Sequence, residues 1–241
     1  MASNPPGFLE HLRSHGYHPR SDKHSNSLSE CIVSDLLEQC SAIRRQAAAG
    51  RLVYSLNFTL FTGTADWKVD LVFGEPPPAQ TPPSSPARIL DTPPSTVQIA
   101  IELKSVMTEH RKAVKNRKRD FEAHHDHVHR YNRRTVAAGL LVLNGASTFR
   151  SPLRQGPTVH RNPDDLVRHC VNEMRAVSQR SSVDGVGLDA KGVIVLDFDN
   201  QDLLGAKYAS AGNVPRVGDP LHYDAFIQRI CGLFSERFCD R

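Results

Sequence analysis

Three apolar runs, VQIAIELK at 97–104, TVAAGLLVLNG at 135–145 and GVIVLDF at 192–198, constrain this chain most strongly, because each reads as a strand and helical patterns separate them. In the first interval Met107, Val114, Phe121 and Val128 recur every seven residues, with Ser105 or Thr108 as a cap and an end near Tyr131. In the second, a helix opens at Asn162-Pro163 and runs to about Ser181. Upstream, SLSE matches a capping box, pairing Ser27 with Glu30. From there Leu28, Ile32, Val33, Leu36, Leu37, Cys40 and Ile43 hold one side of a helix that stops near Gly50. RLVYSLNFTLFT and WKVDLVFG flank the turn TGTAD as a hairpin, and YDAFIQRICGLFSERF closes the chain as a helix. This order predicts an α/β (or α+β) sandwich, a central mixed sheet flanked by helices.

A length of 241 residues suits one domain with elaborations. Residues 1–26, polar and holding four histidines, are expected to form an irregular arm, and 27–241 a single domain. Residues 74–96 hold eight of the sixteen prolines and read as a long loop inside a core of 27–144. The remainder, 145–241, is expected to serve target recognition or dimer contacts. A net charge of +4, with twelve histidines besides, admits a nucleic-acid partner without requiring one. Five cysteines at 31, 40, 170, 231 and 239, with no C-x-x-C, make neither a disulfide framework nor a zinc ribbon. With no apolar leader core and no run near the roughly 20 apolar residues that span a bilayer, the expectation is a cytoplasmic protein with no membrane partner.

Alternation along 97–104 places Val97, Ile99, Ile101 and Leu103 on one face, and Gln98, Ala100, Glu102 and Lys104 on the other. An acid and a base therefore project side by side, as an ordinary surface ion pair or as two members of a catalytic site. In the preceding strand Trp67, Val69, Leu71 and Phe73 alternate with Lys68, Asp70 and Val72. Asp70, then Glu102-x-Lys104 on the next strand, then a helix and a fourth strand, resembles the PD-(D/E)xK nuclease superfamily over residues 27–144, with Val69 where many members carry proline. The resemblance implies a restriction-endonuclease-like core and a Mg²⁺-dependent endonuclease (Mn²⁺ substituting) cutting double-stranded DNA in the manner of a type II restriction enzyme. It implies Asp70, Glu102 and the Leu103 carbonyl as ion ligands, Lys104 beside the attacking water, and a 5′-phosphate product. Glu30 is the candidate for an extra acidic ligand from the first helix, or it only closes the capping box.

The helix after this motif carries Arg111, Lys112, Lys115, Arg117, Lys118 and Arg119. Arg111, Lys115, Arg117 and Lys118, with Gln98 on the motif strand, are the candidates for contacting DNA, and a solvated helix surface is the plainer account of them. A homodimer would bring two sites to two strands. A catalytically silent binding module of the same fold is the alternative function. A third reading takes HHDHVH at 124–129 as a zinc site, since His124/His127 or His125/His129 share a helix face, although further ligands are wanting. Asp197 and Asp199 in VLDFDN read as a turn after a strand. The chain has no Gly-rich phosphate loop and no G-x-S-x-G elbow.

Overall fold

The structure is a computed structural model describing residues 4–63, 65–78 and 89–239. In chain order the elements are α1 (Pro6–His15), α2 (Lys23–Gln39), α3 (Ser41–Ala48), β1 (Val53–Phe61), β2 (Asp66–Glu75), the short β3 (Leu90–Asp91), β4 (Thr96–Val106) and α4 (His110–Tyr131). There follow β5 (Val136–Asn144), a small pair of β6 (Thr148–Phe149) and β7 (Thr158–Val159), α5 (Pro163–Ala176), β8 (Ala190–Asp197), β9 (Lys207–Tyr208) and α6 (Tyr223–Phe238). The three apolar runs become adjacent parallel strands, β4, β5 and β8, linked by crossovers through α4 and α5. Parallel strands need such crossovers because a tight turn reverses direction. Antiparallel β2 and β1 extend the sheet on one side and β9 on the other, giving the mixed seven-stranded order β3-β1-β2-β4-β5-β8-β9.

Helices cover both faces. Leu71, Phe73, Ile99, Ile101 and Leu103 pack with α1, α2, α3 and α6 in one core, while Val69, Val72, Ala100, Leu141 and Val193 pack with α4 and α5 in the other. All nine residues of β5 are buried, as a central strand covered on both faces requires. Residues 145–239 complete this same sheet and both of its cores.

Several local expectations shift. Within the segment expected as an irregular arm, residues 4–26 are ordered into the fold: Pro6 opens α1, whose Phe8 and Leu12 enter the core, and Tyr17 is held by Asn200 through both its backbone N–H and its carbonyl. The second helix starts at Lys23, so Ser27 lies within it, and the S-x-x-E pattern caps nothing. It breaks at Cys40, whose extended backbone separates α2 from α3. That cysteine forms a disulfide with Cys231 of α6, their Cα atoms 5.5 Å apart. Spacing did not reveal the pair because 191 residues separate its members. Of the proline-rich insertion, residues 79–88 lie outside the described residues, while Leu90–Asp91 pairs with β1.

Asp189, at the entry to β8, is completely buried and gathers groups from four parts of the chain. Arg180 donates Nε to its Oδ1 and a terminal nitrogen to its Oδ2, both at 2.8 Å; Arg237 of α6 reaches Oδ1 at 2.5 Å, and His129 of α4 lies 3.2 Å from Oδ2. The Ala137 N–H adds a bond from β5 at 2.9 Å. Burial alone would raise this carboxyl's pKa, but the donors from His129, Arg180, Arg237 and Ala137 overcome it and hold it well below the ordinary value. Asp189→Asn, which strands two buried guanidinium groups, is expected to cost about 3–5 kcal/mol in urea unfolding at neutral pH. Because the folded-state pKa is depressed, the ionised carboxylate's contribution is complete above about pH 4 and fades as the pH falls further, so the variant and natural protein should converge in acid.

Candidate active site

Asp70 sits where the sheet stops being regular. The β1–β2 register passes from Leu56↔Leu71 to Phe58↔Val69 without pairing Asn57 to Asp70, and Asn57 adopts φ 52°, the left-handed region that asparagine tolerates better than most residues. Its side-chain amide donates to Asn26 of α2 at 2.8 Å, which anchors the kink. The expected alternation along β2 therefore flips at Asp70: Val69 faces the core of α4 and α5, whereas Leu71 and Phe73 face the opposite core. The paired register of β2 with β4 reaches only Leu71↔Ile101. Past that point the Asp70 carboxylate spans the gap itself, its Oδ2 accepting from the Leu103 N–H at 2.7 Å.

Glu102 and Lys104 share a face of β4, as the strand period requires. Their ammonium and carboxylate are in direct contact, and the Lys104 Nζ is 4.0 Å from Asp70 Oδ2. One lysine thus lies between two acids whose side chains are only 19% and 4% exposed. Burial raises the Glu102 carboxyl to about 7, with the attraction of Lys104 opposing the rise and the repulsion of Asp70 adding to it. Burial also raises Asp70, against Lys104 and the Leu103 N–H. A cleft of about 230 Å³ opens beside Asp70 and Lys104, walled by Tyr17, Ser21, Asp22 and His24 from the N-terminal segment and by Ser105 and Arg117. Across it the Tyr17 and Ser105 hydroxyls are 2.6 Å apart.

The fold does not assemble every expected residue here. Glu30 is exposed on α2 and takes no part in lining the cleft, because α2 begins a turn earlier than the capping pattern suggested. The acid that the start of α2 does bring to the cleft is Asp22, which also pairs with Lys68 at 3.6 Å. Gln98 lies at a register slip where β2 advances one residue, Phe73 to Gly74, against Ile99 to Val97 on β4. Its amide donates to Glu75, well short of the cleft, and Val97 turns to the face of Ala100 instead of joining Ile99. Of the basic residues on α4, Arg111 pairs with Asp165 at 2.6 Å and Lys118 with Glu173 at 3.8 Å, both on α5. Those two hold helices together. Lys112, Lys115 and Arg119 are exposed, and Arg117 reaches the cleft.

The histidine run is divided by its helix. His124 is fully buried and meets Glu102, His127 stacks on Trp67 with centroids 4.5 Å apart, and His129 serves Asp189. Asp199 accepts from the backbone of Gln201 and Asp202, which closes a turn after β8. Sequence reasoning missed Tyr17 and Asp22 and named His124 only as a zinc candidate, since no local pattern says that an N-terminal turn and the middle of α4 meet the motif strand.

Among the described residues no group of three or more His, Cys, Asp or Glu side chains is placed to hold a metal ion. A hard ion resting on one or two carboxylates, with water and substrate phosphate completing its shell, is nonetheless how Mg²⁺ is commonly bound. Asp70 lines the cleft, and Glu102 behind it has a buried Oε2 with no hydrogen-bond partner. No family model, characterised protein or solved structure matches this chain.

Because its folded-state pKa lies above the unfolded one, ionised Glu102 weakens the fold, with no penalty below about pH 4.5 and a full one above about 7. Glu102→Gln is therefore expected to stabilise the protein by about 1–3 kcal/mol in denaturant titrations above pH 7 and to leave it nearly unchanged near pH 4.

Proposed function

We propose that this chain is a Mg²⁺-dependent endonuclease cutting double-stranded DNA, with Mn²⁺ able to substitute. One observation carries the reading: buried Glu102 and half-buried Asp70 flank the Lys104 ammonium at the place where β2 and β4 part, and one Glu102 oxygen is left without a donor. Two largely enclosed acids around one base leave an unbalanced negative charge once the pH rises past about 7, a costly arrangement. The order Asp70, Glu102, Lys104 along adjacent strands is also the order that resembles the PD-(D/E)xK superfamily.

In this reading Asp70, Glu102 and the Leu103 carbonyl hold the ion. Charge gathering on the non-bridging phosphate oxygens is what a bound Mg²⁺ offsets. Lys104 would then exchange Glu102 for the attacking water, which its Nζ would orient. Arg117, with the Tyr17 and Ser105 hydroxyls across the cleft, receives the phosphate by charge-assisted and neutral hydrogen bonds. Exposed Lys112, Lys115 and Arg119 extend the cationic surface along α4 for neighbouring phosphates.

A second reading has its own observation. Lys104 already occupies the space between the carboxylates, so the site can persist as an internal ion cluster, and the chain then binds DNA without cutting it.

Incubation with plasmid and linear DNAs in Mg²⁺ or Mn²⁺ separates the two. Nuclease function predicts cleavage that falls at least about a hundredfold in Asp70→Asn, Glu102→Gln and Lys104→Met, as loss of a group acting on the developing charge produces. Binding without cleavage in both ions supports the silent module. Arg117→Ala is expected to weaken DNA binding across sequences and to reduce the slope of log K against log salt by about one, read by fluorescence anisotropy.

A further inference from the structure

Between β5 and α5 the chain leaves the main sheet as the β6–β7 hairpin, and residues 145–163 hold three arginines, Arg150, Arg154 and Arg161, and no acid. The base of this hairpin is fixed. Phe149 is buried, its ring centroid 6.3 Å from that of Phe198 and 6.0 Å from that of Tyr17 in the cleft wall. His160, also buried, donates from Nδ1 to the Ala146 carbonyl at 2.7 Å and meets the His110 ring edge-on at 4.7 Å. The Asn200 amide donates to the carbonyls of both Arg150 and Tyr17, which ties the hairpin to the N-terminal turn beside the cleft.

Beyond that base every residue from Pro152 to Pro157 is exposed, and open space surrounds the place where a Cβ on Gly156 would stand. Leu153 is 48% exposed at the tip, an apolar side chain that burial against a partner would favour. Arg154 reaches Glu109, at the head of α4, at 2.8 Å, an exposed pair of the kind that is easily exchanged. From Glu109 to Arg117 of the cleft the helix rises about 12 Å, with exposed Lys112 and Lys115 between.

We propose that the tip Leu153–Arg154–Gln155 enters the major groove of double-stranded DNA and reads base edges a few base pairs from the phosphate in the cleft. The inference rests on the nuclease reading in taking DNA as the ligand, and it confines target recognition to one loop of the C-terminal segment. A major groove about 12 Å wide admits a two-stranded ribbon. Arginine pairs with guanine O6 and N7, glutamine with adenine N6 and N7, and an apolar group packs on the thymine methyl. Attraction to phosphate would require charge alone, and neither Leu153 nor Gln155 adds any. Arg150 and Arg161, exposed at the base, meet the flanking phosphates. Packing has already ordered the base, so little conformational entropy is left to lose on docking.

The test uses the full chain and a random-sequence duplex DNA library. Duplexes bound in EDTA are sequenced, as are the ends cut in Mg²⁺, and circular dichroism melting shows that each variant is folded. Arg154→Ala and Arg150→Ala remove one positive charge each and so form a matched pair. The expected result is a defined sequence selected by the natural protein. Arg154→Ala relaxes the preference at one position by roughly 5–150-fold, and Gln155→Ala relaxes it at a neighbouring one. Arg150→Ala keeps the preference and lowers the slope of log K against log salt by about one. An identical selected sequence in Arg154→Ala and Gln155→Ala overturns the inference, as does a loss of affinity equal for all sequences, the mark of phosphate contact alone. Cutting by the natural protein with no sequence preference also overturns it and leaves the nuclease reading intact. A selected sequence that the tip variants lose, without cutting in Mg²⁺ or Mn²⁺, supports the inference and overturns the nuclease reading. If the natural protein neither binds nor cuts DNA, both fall.

Discussion

The buried Asp189 cluster is the constraint on which the rest of the structure leans. One carboxylate joins α6 through Arg237, α4 through His129, β5 through Ala137 and the segment between α5 and β8 through Arg180, so groups from both faces of the sheet converge on one anion. Arg180 goes on to donate to the carbonyls of Arg133, Thr135 and Val183. A charge so enclosed is tolerated only while its donors stay in place, which makes the arrangement cooperative. It also sets the position of α4, held at its other end by the His110 ring against the Asn144 carbonyl at 2.7 Å. The stretch between those anchors carries His124 to Glu102 and Arg117 to the cleft.

Where both oxygens of the Asp189 carboxylate have donors, one of the two on Glu102 does not. Two acids share one lysine, burial lifts both carboxyls, and one oxygen of Glu102 has no donor. The two buried sites hold the same kind of group in opposite electrostatic states, and the difference is the supply of donors. Asp189 has two guanidinium groups, an imidazole and a backbone N–H; Glu102 has Lys104 and a histidine turned so that it cannot donate. A site left short in this way spends stability that the remainder of the fold supplies, a pattern expected where a ligand is to complete the charge balance.

Much of this was legible along the chain. The apolar runs and the helical intervals between them lead to the layered α/β fold, because a strand covered on both faces must be apolar throughout and parallel neighbours need crossovers. Glu102 and Lys104 fall together because two residues one apart share a strand face. The misreadings have equally physical causes. An S-x-x-E pattern cannot tell a helix start from a helix interior, and α2 runs back to Lys23. Strict alternation assigned Val97 to the wrong face, since a one-residue slip of β2 against β4 turns it over. Arg111 and Lys118 looked like a DNA-facing row until α5 brought Asp165 and Glu173 against them.

Local pattern therefore settled the principal strands and the helices between them, and which pair of charges shares one face of β4, because periodicity is a property of neighbouring residues. Long-range packing settled what those charges meet. Asp70 reaches Leu103 because Asn57 kinks the adjoining strand, Cys40 finds Cys231 across 191 residues, and His124 faces Glu102 with its lone pair because Trp67 comes from a different strand. Such contacts depend on which surfaces close upon each other, and that is a property of the folded chain as a whole.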